Sequence, residues 1–171
     1  MLRKKQIISA FLAVAVGLMS CLPTGAFALE QTRSGDIAVD AVTFPDANFR
    51  SWIQDKNHLG GAGADGWLTQ EELAQIKEID VSGRNIASLE GIGYFSALES
   101  LTCTANSLTE LDLSGNPALE WLYCRHNQLS QLDVTNNTEL VFIETFDNQL
   151  TSFDPSPLKK LTFLHIDYNQ L

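Results

Sequence analysis

The sequence predicts a solenoid of short parallel β-strands, preceded by a secretion signal and a small helical segment. The solenoid follows from a 21-residue period, which is visible as five columns of residues in register over four copies. Three columns are apolar: Leu98, Leu119, Leu140 and Leu161; Leu101, Leu122, Ile143 and Leu164; and Leu108, Leu129, Leu150 and Leu171. The other two columns hold Cys103, Cys124, Thr145 and Ile166, and Asn106, Asn127, Asn148 and Asn169. Such a period indicates stacked units that bury one continuous core.

Residues 1–28 have the pattern of a secretory signal peptide. Three basic residues precede an apolar run over residues 7–19, and Ala-Phe-Ala at residues 26–28 supplies a small-x-small cleavage site. We therefore expect a secreted or cell-surface protein whose mature chain starts at Leu29. A lipobox-like sequence ending at Cys21 leaves lipidation of that residue as an alternative.

The mature chain is strongly acidic, with 8 basic and 21 acidic side chains and a net charge of −13. This charge repels phosphate backbones and no basic patch interrupts it, so we expect no nucleic-acid partner. After residue 28 no apolar stretch is long enough to cross a bilayer, so we expect no transmembrane segment in the mature chain. The two cysteines of that chain, Cys103 and Cys124, are too few for a disulfide framework, and we expect buried free thiols.

Each repeat begins with a short strand whose residues alternate between core and surface. In the first full copy, Leu101 and Cys103 point inward and their neighbours outward. The Asn that follows is expected to turn inward and to satisfy backbone groups of its own coil and the neighbouring one. About ten residues remain for the return path, too few for an ordinary helix, so the convex side should be extended or 3₁₀. A degenerate copy with a 22-residue step comes first, which places the repeats at 76–171 with the last one truncated.

The unit L-x-x-L-x-(L/C)-x-x-N-x-L is the leucine-rich repeat pattern. In its 21-residue, Cys-containing form, it resembles the secreted bacterial proteins of the internalin type over residues 43–171. The resemblance implies a non-enzymatic binding or adhesion module, an EF-hand-like helical cap before the repeats, and further repeats with a cell-wall attachment region beyond Leu171. One alternative is that the chain is the repeat region of a longer surface protein or enzyme.

Residues 43–75 are expected to form the helical cap, after a linker over residues 29–42. The spacing of Phe49, Trp52 and Ile53 predicts a helix that buries these three side chains. A solenoid needs such a segment because its first coil otherwise exposes an apolar end.

A second helix should open with a capping box formed by Thr69 and Glu72. The glycine-rich loop before it offers Asp65, Thr69 and Glu72 at EF-hand positions 5, 9 and 12, which makes them weak calcium candidates. Gly61 and Gly63 fall at positions 1 and 3, where carboxylates are required. We therefore expect a flexible loop, with no metal and no cofactor.

The outward columns of the later strands are rich in aromatic residues. We predict that these columns bind a ligand through Trp121, Tyr123, Arg125, His126, Phe142, Glu144, Phe146, Phe163, His165 and Tyr168. Aromatic residues and Arg are typical of interface hot spots, so the expected partner is a protein of the host or bacterial surface. A glycan is the alternative ligand, because flat aromatic surfaces also suit sugar rings. A third interpretation is that the rings only stabilise neighbouring strands. We assign no catalytic role to the His and Asp residues of these columns.

Overall fold

The structure, a computed structural model, describes residues 35–171, so the predicted signal peptide and lipidation site lie outside the described residues. The described part of the chain opens with a small mixed segment. Its strands β1 (Ile37–Ala38) and β2 (Trp67–Leu68) pair antiparallel, and its helices are α1 (Ala47–Gln54) and α2 (Gln70–Gln75). A 3₁₀ turn over Leu59–Gly61 lies between the helices.

The expected linker over residues 29–42 is wrong for its second half. Ile37 and Ala38 pair with β2, Val39 is buried, and Gln54 Nε2 donates a hydrogen bond of 3.0 Å to the Val39 carbonyl. The reason is the apolar alternation of Ile37 and Val39, which removes hydrophobic surface from water when this stretch packs on the core. The alternation covers only three residues, which is too short to predict a strand from the sequence.

Both helices begin at strong N-caps. Asp46 accepts hydrogen bonds from the backbone N–H groups of Asn48 and Phe49 at the start of α1, and Thr69 and Glu72 form a reciprocal capping box at α2. The buried side chains of α1 are Phe49, Trp52 and Ile53.

The helical segment is bonded to the first coil of the solenoid. Asp46 Oδ2 accepts hydrogen bonds from the backbone of Ala87 at 2.8 Å and Ser88 at 3.3 Å. The Phe44 ring lies against Gly91, where a Cβ would come within 2.5 Å of that ring. The core is therefore continuous from the helices into the repeats. An EF-hand relation of this segment stays a prediction.

The repeats form a parallel five-stranded sheet in chain order. Its strands are β3 (Glu78–Asp80), β4 (Ser100–Thr102), β5 (Trp121–Tyr123), β6 (Phe142–Glu144) and β7 (Phe163–His165). Each strand pairs in register with the same position of the next repeat, and the inward Leu101, Leu122 and Ile143 are fully buried. The predicted leucine-rich repeat solenoid is confirmed.

The asparagines after the strands form a hydrogen-bonded ladder. Asn127 Nδ2 donates to the Cys103 carbonyl of the preceding coil at 3.0 Å and to the Cys124 carbonyl of its own coil at 3.1 Å, while its Oδ1 accepts from Leu108 N. Asn106, Asn148 and Asn169 make equivalent bonds. The ladder fixes the distance between neighbouring coils at the end of each strand.

The convex side carries a second ladder that the sequence analysis missed. Asn116 and Asn137 are fully buried, and their Nδ2 groups donate to carbonyls of the preceding coil, including Ile92 and Leu113. A 3₁₀ turn over Ile92–Tyr94 is the main ordered element of this side in the first coil. Successive coils are therefore tied together at both faces.

Candidate binding face

The outward residues of β5, β6 and β7, with the turn after each strand, form one surface that we call the aromatic face. Trp121, Phe142 and Phe163 share one row across the three strands, and Tyr123, Glu144 and His165 share the next. Side chains alternate along a strand, so all these groups lie opposite the buried leucines, and strands are about 4.8 Å apart. The turn after each strand adds His126, Asp147 and Tyr168.

The aromatic rings in the middle of the face stack on one another. The Phe142 and Phe163 ring centroids are 4.4 Å apart with an interplanar angle of 5°, and Tyr123 lies 4.9 Å from Phe142 on its other side. Phe142 is consequently half-buried. Pairs of this kind each contribute about 0.5–1.5 kcal/mol beyond burial, so this part of the face also stabilises the sheet.

Three aromatic residues remain available to a partner. Trp121 is 37% exposed, Phe163 is 44% exposed and Tyr168 is 80% exposed. Trp121 has no ring or cation neighbour within residues 35–171. These side chains leave apolar surface in water, where an association would remove it.

A cluster around Phe146 orders the polar residues of the face. Arg125 Cζ lies 5.6 Å from the Phe146 centroid, and the rings of His126 and His165 lie 4.9 and 4.4 Å from it. The Arg125 guanidinium and the two imidazole rings are each also paired with a carboxylate. The pairs are Arg125 Nη1 with Glu144 at 3.0 Å, His126 Nδ1 with Asp147 at 2.7 Å, and His165 Nε2 with Asp167 at 3.2 Å. The arrangement presents polar groups already held in place.

The turn after each strand from β4 to β7 contains a residue in a backbone conformation that the sequence analysis did not predict. Ala105, His126, Asp147 and Tyr168 have φ values of 54–56°, in the left-handed region. The only signal was Gly83, which takes the same position in the degenerate first copy with φ 64°. A left-handed non-glycine residue costs about 1–2 kcal/mol, so each turn stores strain next to the face.

The cysteines lie beneath the face and are free and fully buried. Burial raises the pKa of Cys124 to about 12 against the opposing effect of the Thr145 hydroxyl, and burial likewise raises the pKa of Cys103 well above its usual value. Both thiols therefore stay protonated at neutral pH and are poor nucleophiles.

The weak calcium candidates of the N-terminal segment are occupied by local hydrogen bonds. Glu72 Oε2 accepts from Thr69 N at 2.8 Å and from its hydroxyl at 3.0 Å, and Asp65 accepts from Trp67 N at 3.0 Å. Within residues 35–171, no group of three His, Cys, Asp or Glu side chains is arranged to hold a metal ion. The sequence lacks two of the carboxylates that an EF-hand loop needs, at Gly61 and Gly63.

Comparisons with known proteins point to one family. No protein-family model matches the chain. Internalin J of Listeria monocytogenes serotype 4b (strain F2365) is 37% identical over 73 residues, which are 43% of this chain and 8% of that protein. The solved functional domain of InlJ from Listeria monocytogenes, which includes a cysteine ladder, matches with a TM-score of 0.71 and 34% identity. That match covers 78% of this chain and 29% of the InlJ chain. An internalin (inlF) crystal structure from strain 4b F2365 of the same species has a TM-score of 0.64 and 25% identity, over 75% and 45% of the two chains.

The in-register parallel strands, the asparagine ladder and the buried leucine columns define a leucine-rich repeat protein. In sequence and in fold, this repeat region is similar to internalins. It spans less than half the length of each relative. Its helices within residues 35–171 are all too short or too polar to cross a membrane.

Proposed function

We propose that the chain is a non-enzymatic extracellular binding module, secreted or at the cell surface, that recognises a protein through the aromatic face. The observation that carries this proposal is the exposure of Trp121, Phe163 and Tyr168 beside the ordered Phe146 cluster. Exposed aromatic groups next to prearranged polar groups bind with little loss of side-chain entropy.

A protein fits this face better than a glycan. The Phe142 ring has neighbours on both sides, and the stacking of Phe163 on it uses the flat surface that a sugar would need. The aromatic groups outside this stack present ring edges or isolated rings, and they lie among charged pairs. Protein interfaces take up such uneven mixed surfaces through shape complementarity.

The test compares variants in capture of proteins from a preparation of host or bacterial surface proteins. We expect Trp121→Ala and Phe163→Ala each to lose most of the bound material, while Tyr94→Ala keeps it. Tyr94 is a matched control because it is a 45% exposed aromatic residue in the convex 3₁₀ turn. A thermal melt of each variant ensures that lost binding does not reflect unfolding.

Equal capture by all three variants would refute the aromatic face as the binding surface. A glycan array run with the same proteins addresses the alternative ligand. Face-dependent glycan signals without face-dependent protein capture would show that the ligand class is wrong.

A further inference from the structure

Strand β4 carries only small outward side chains, and it lies between an acidic strand and an aromatic one. Ser100 pairs in register with Glu78 of β3 on one side and with Trp121 of β5 on the other. Since strands are about 4.8 Å apart, the Glu78 and Trp121 Cα atoms are about 10 Å apart across Ser100. The next row repeats the pattern with Asp80 and Thr102. The result is a trough with a small-residue floor, a carboxylate wall and an aromatic wall.

The carboxylate wall is not neutralised by the chain. Neither Glu78 nor Asp80 has an ion-pair partner in the part of the chain that the structure describes. Asp80 accepts hydrogen bonds only from Ser82, at 2.9 and 2.6 Å. Lys77, the basic residue next to Glu78 in the sequence, forms an ion pair with Glu99 at 3.0 Å. By contrast, Glu144 on β6 is paired with Arg125, and Asp147 and Asp167, which follow β6 and β7, are paired with His126 and His165. The unpaired carboxylates of the concave strands therefore lie on β3.

The aromatic wall suits a cation. Trp is the side chain that attracts cations most strongly through its ring face, and Trp121 is 37% exposed. The same sheet already uses this interaction internally, where Arg125 lies over Phe146. An ammonium or guanidinium group above Ser100 would contact the ring on one side and the carboxylates on the other.

We infer that Glu78, Asp80, Ser100 and Trp121 form a cation seat, which takes a Lys or Arg side chain from a basic segment of the protein partner. The inference rests on the proposed function and adds the chemical class of the partner. Charge complementarity selects the occupant, since an acidic chain with unpaired carboxylates attracts a basic segment and repels an acidic one.

The test uses fluorescent 12-residue peptides of defined composition. One carries Arg at every third position among Gly and Ser, a second has citrulline in place of each Arg, and a third has Glu. We expect the Arg peptide to bind at least tenfold more tightly than the citrulline peptide, which keeps shape without charge, and the Glu peptide not to bind.

Variants locate the site. Binding of the Arg peptide should weaken at least tenfold in Trp121→Ala, in Trp121→Leu and in the double variant Glu78→Gln with Asp80→Asn. Trp121→Leu keeps a bulky apolar side chain without a ring, so it separates the effect of the ring face from that of side-chain bulk. The matched acidic control is Glu90→Gln with Glu110→Gln, because both residues are exposed on the convex side. It should bind as the wild type does at the same salt concentration.

Each outcome decides between the inference and the proposed function. The cation seat is wrong if the convex control loses as much affinity for the Arg peptide as the β3 double variant, or if Trp121→Leu binds the peptide normally. Either result would mean that the acidic chain attracts the basic peptide without a specific site. A random peptide library selected on the full mature chain supplies the second measurement. If the selected peptides are neutral or acidic and their binding depends on the aromatic face, the cation seat is refuted and the proposed function is not. The proposed function itself would be refuted if the library yielded only peptides whose binding does not depend on the aromatic face, and if protein capture did not depend on it either.

Discussion

Two neighbouring coils approach each other closely on the convex side, at Gly93 and Gly115. A Cβ built on Gly115 would come 2.6 Å from both the Cα and the carbonyl oxygen of Gly93. A Cβ built on Gly93 would lie 3.5 Å from the Gly115 Cα, which is ordinary contact. One glycine pair thus offers a variant and its control within the same interface. Neither residue has a positive φ, so backbone strain does not confuse the comparison.

We expect Gly115→Ala to lower the free energy of unfolding by about 1 kcal/mol, as the net of two opposing effects. The atoms that it would meet belong to the backbone, so the overlap of about 1 Å is relieved only by moving the two coils apart, and overpacking of this kind costs about 1–3 kcal/mol. The reduced entropy of the unfolded chain returns about 0.4–1 kcal/mol. For Gly93→Ala only the favourable entropy effect applies, so it should be neutral or stabilising by up to about 1 kcal/mol.

Urea denaturation followed by circular dichroism measures both free energies, provided the dependence on urea concentration is unchanged. Equal losses in the two variants, or no loss in Gly115→Ala, would refute the argument from coil spacing. Gly93 lies in the coil that begins with β3 and Gly115 in the coil that begins with β4. Gly115→Ala should therefore also weaken binding at the trough between β3 and β5, whereas Gly93→Ala should not.

Four further outcomes test particular residues. Ala105→Gly should stabilise the fold by about 1 kcal/mol in urea denaturation, because φ 54° is costly for Ala and free for Gly. Burial tends to raise the pKa of Asp46, but hydrogen bonds from four backbone N–H groups outweigh this effect and lower the pKa. The carboxylate therefore stabilises the fold above about pH 4, and this stabilisation is lost as the pH falls through the lowered pKa. The loss of unfolding free energy between pH 7 and pH 3 should be smaller in Asp46→Asn than in the wild type, while the other aspartates with lowered pKa values keep their own contribution. Cys103 and Cys124 should resist a thiol reagent until urea is added and then both react; early reaction would contradict their burial. Phe142→Ala should cost about 2 kcal/mol in the same denaturation experiment, since it removes two ring contacts, and an unchanged midpoint would contradict the stacking.

The strands and the aromatic rows could be predicted because two periods act together. A 21-residue repeat aligns equivalent residues of successive coils, and the two-residue alternation of a strand assigns each to core or surface. The two periods together predict that Trp121 and Phe142 lie side by side, and the two residues pair in register. The inward Asn127 follows from the same logic, since a buried turn must supply donors and acceptors to its backbone.

What could not be predicted depends on local backbone angles and on contacts outside the repeat. The left-handed turn is shared by residues as different as Ala105 and Tyr168, so residue type in that column gave no signal beyond Gly83. The burial of Asn137 on the convex side was missed because its neighbours read as an ordinary polar turn. The strand at Ile37 has no repeat to support it, and three residues are too few for a periodic signal.

Some aromatic residues of the face stabilise the sheet by packing on one another, and others have no such partner. Phe142 has a ring on either side and is half-buried, so its contacts are already satisfied within the chain. Trp121 occupies the same row but borders Ser100, which leaves its ring without a neighbour on the β4 side. A large ring that only stabilised strands would be expected to have a large partner on the next strand, as Phe142 does. The small residue beside Trp121 and the unpaired acids beyond it are the arrangement that the proposed cation seat requires.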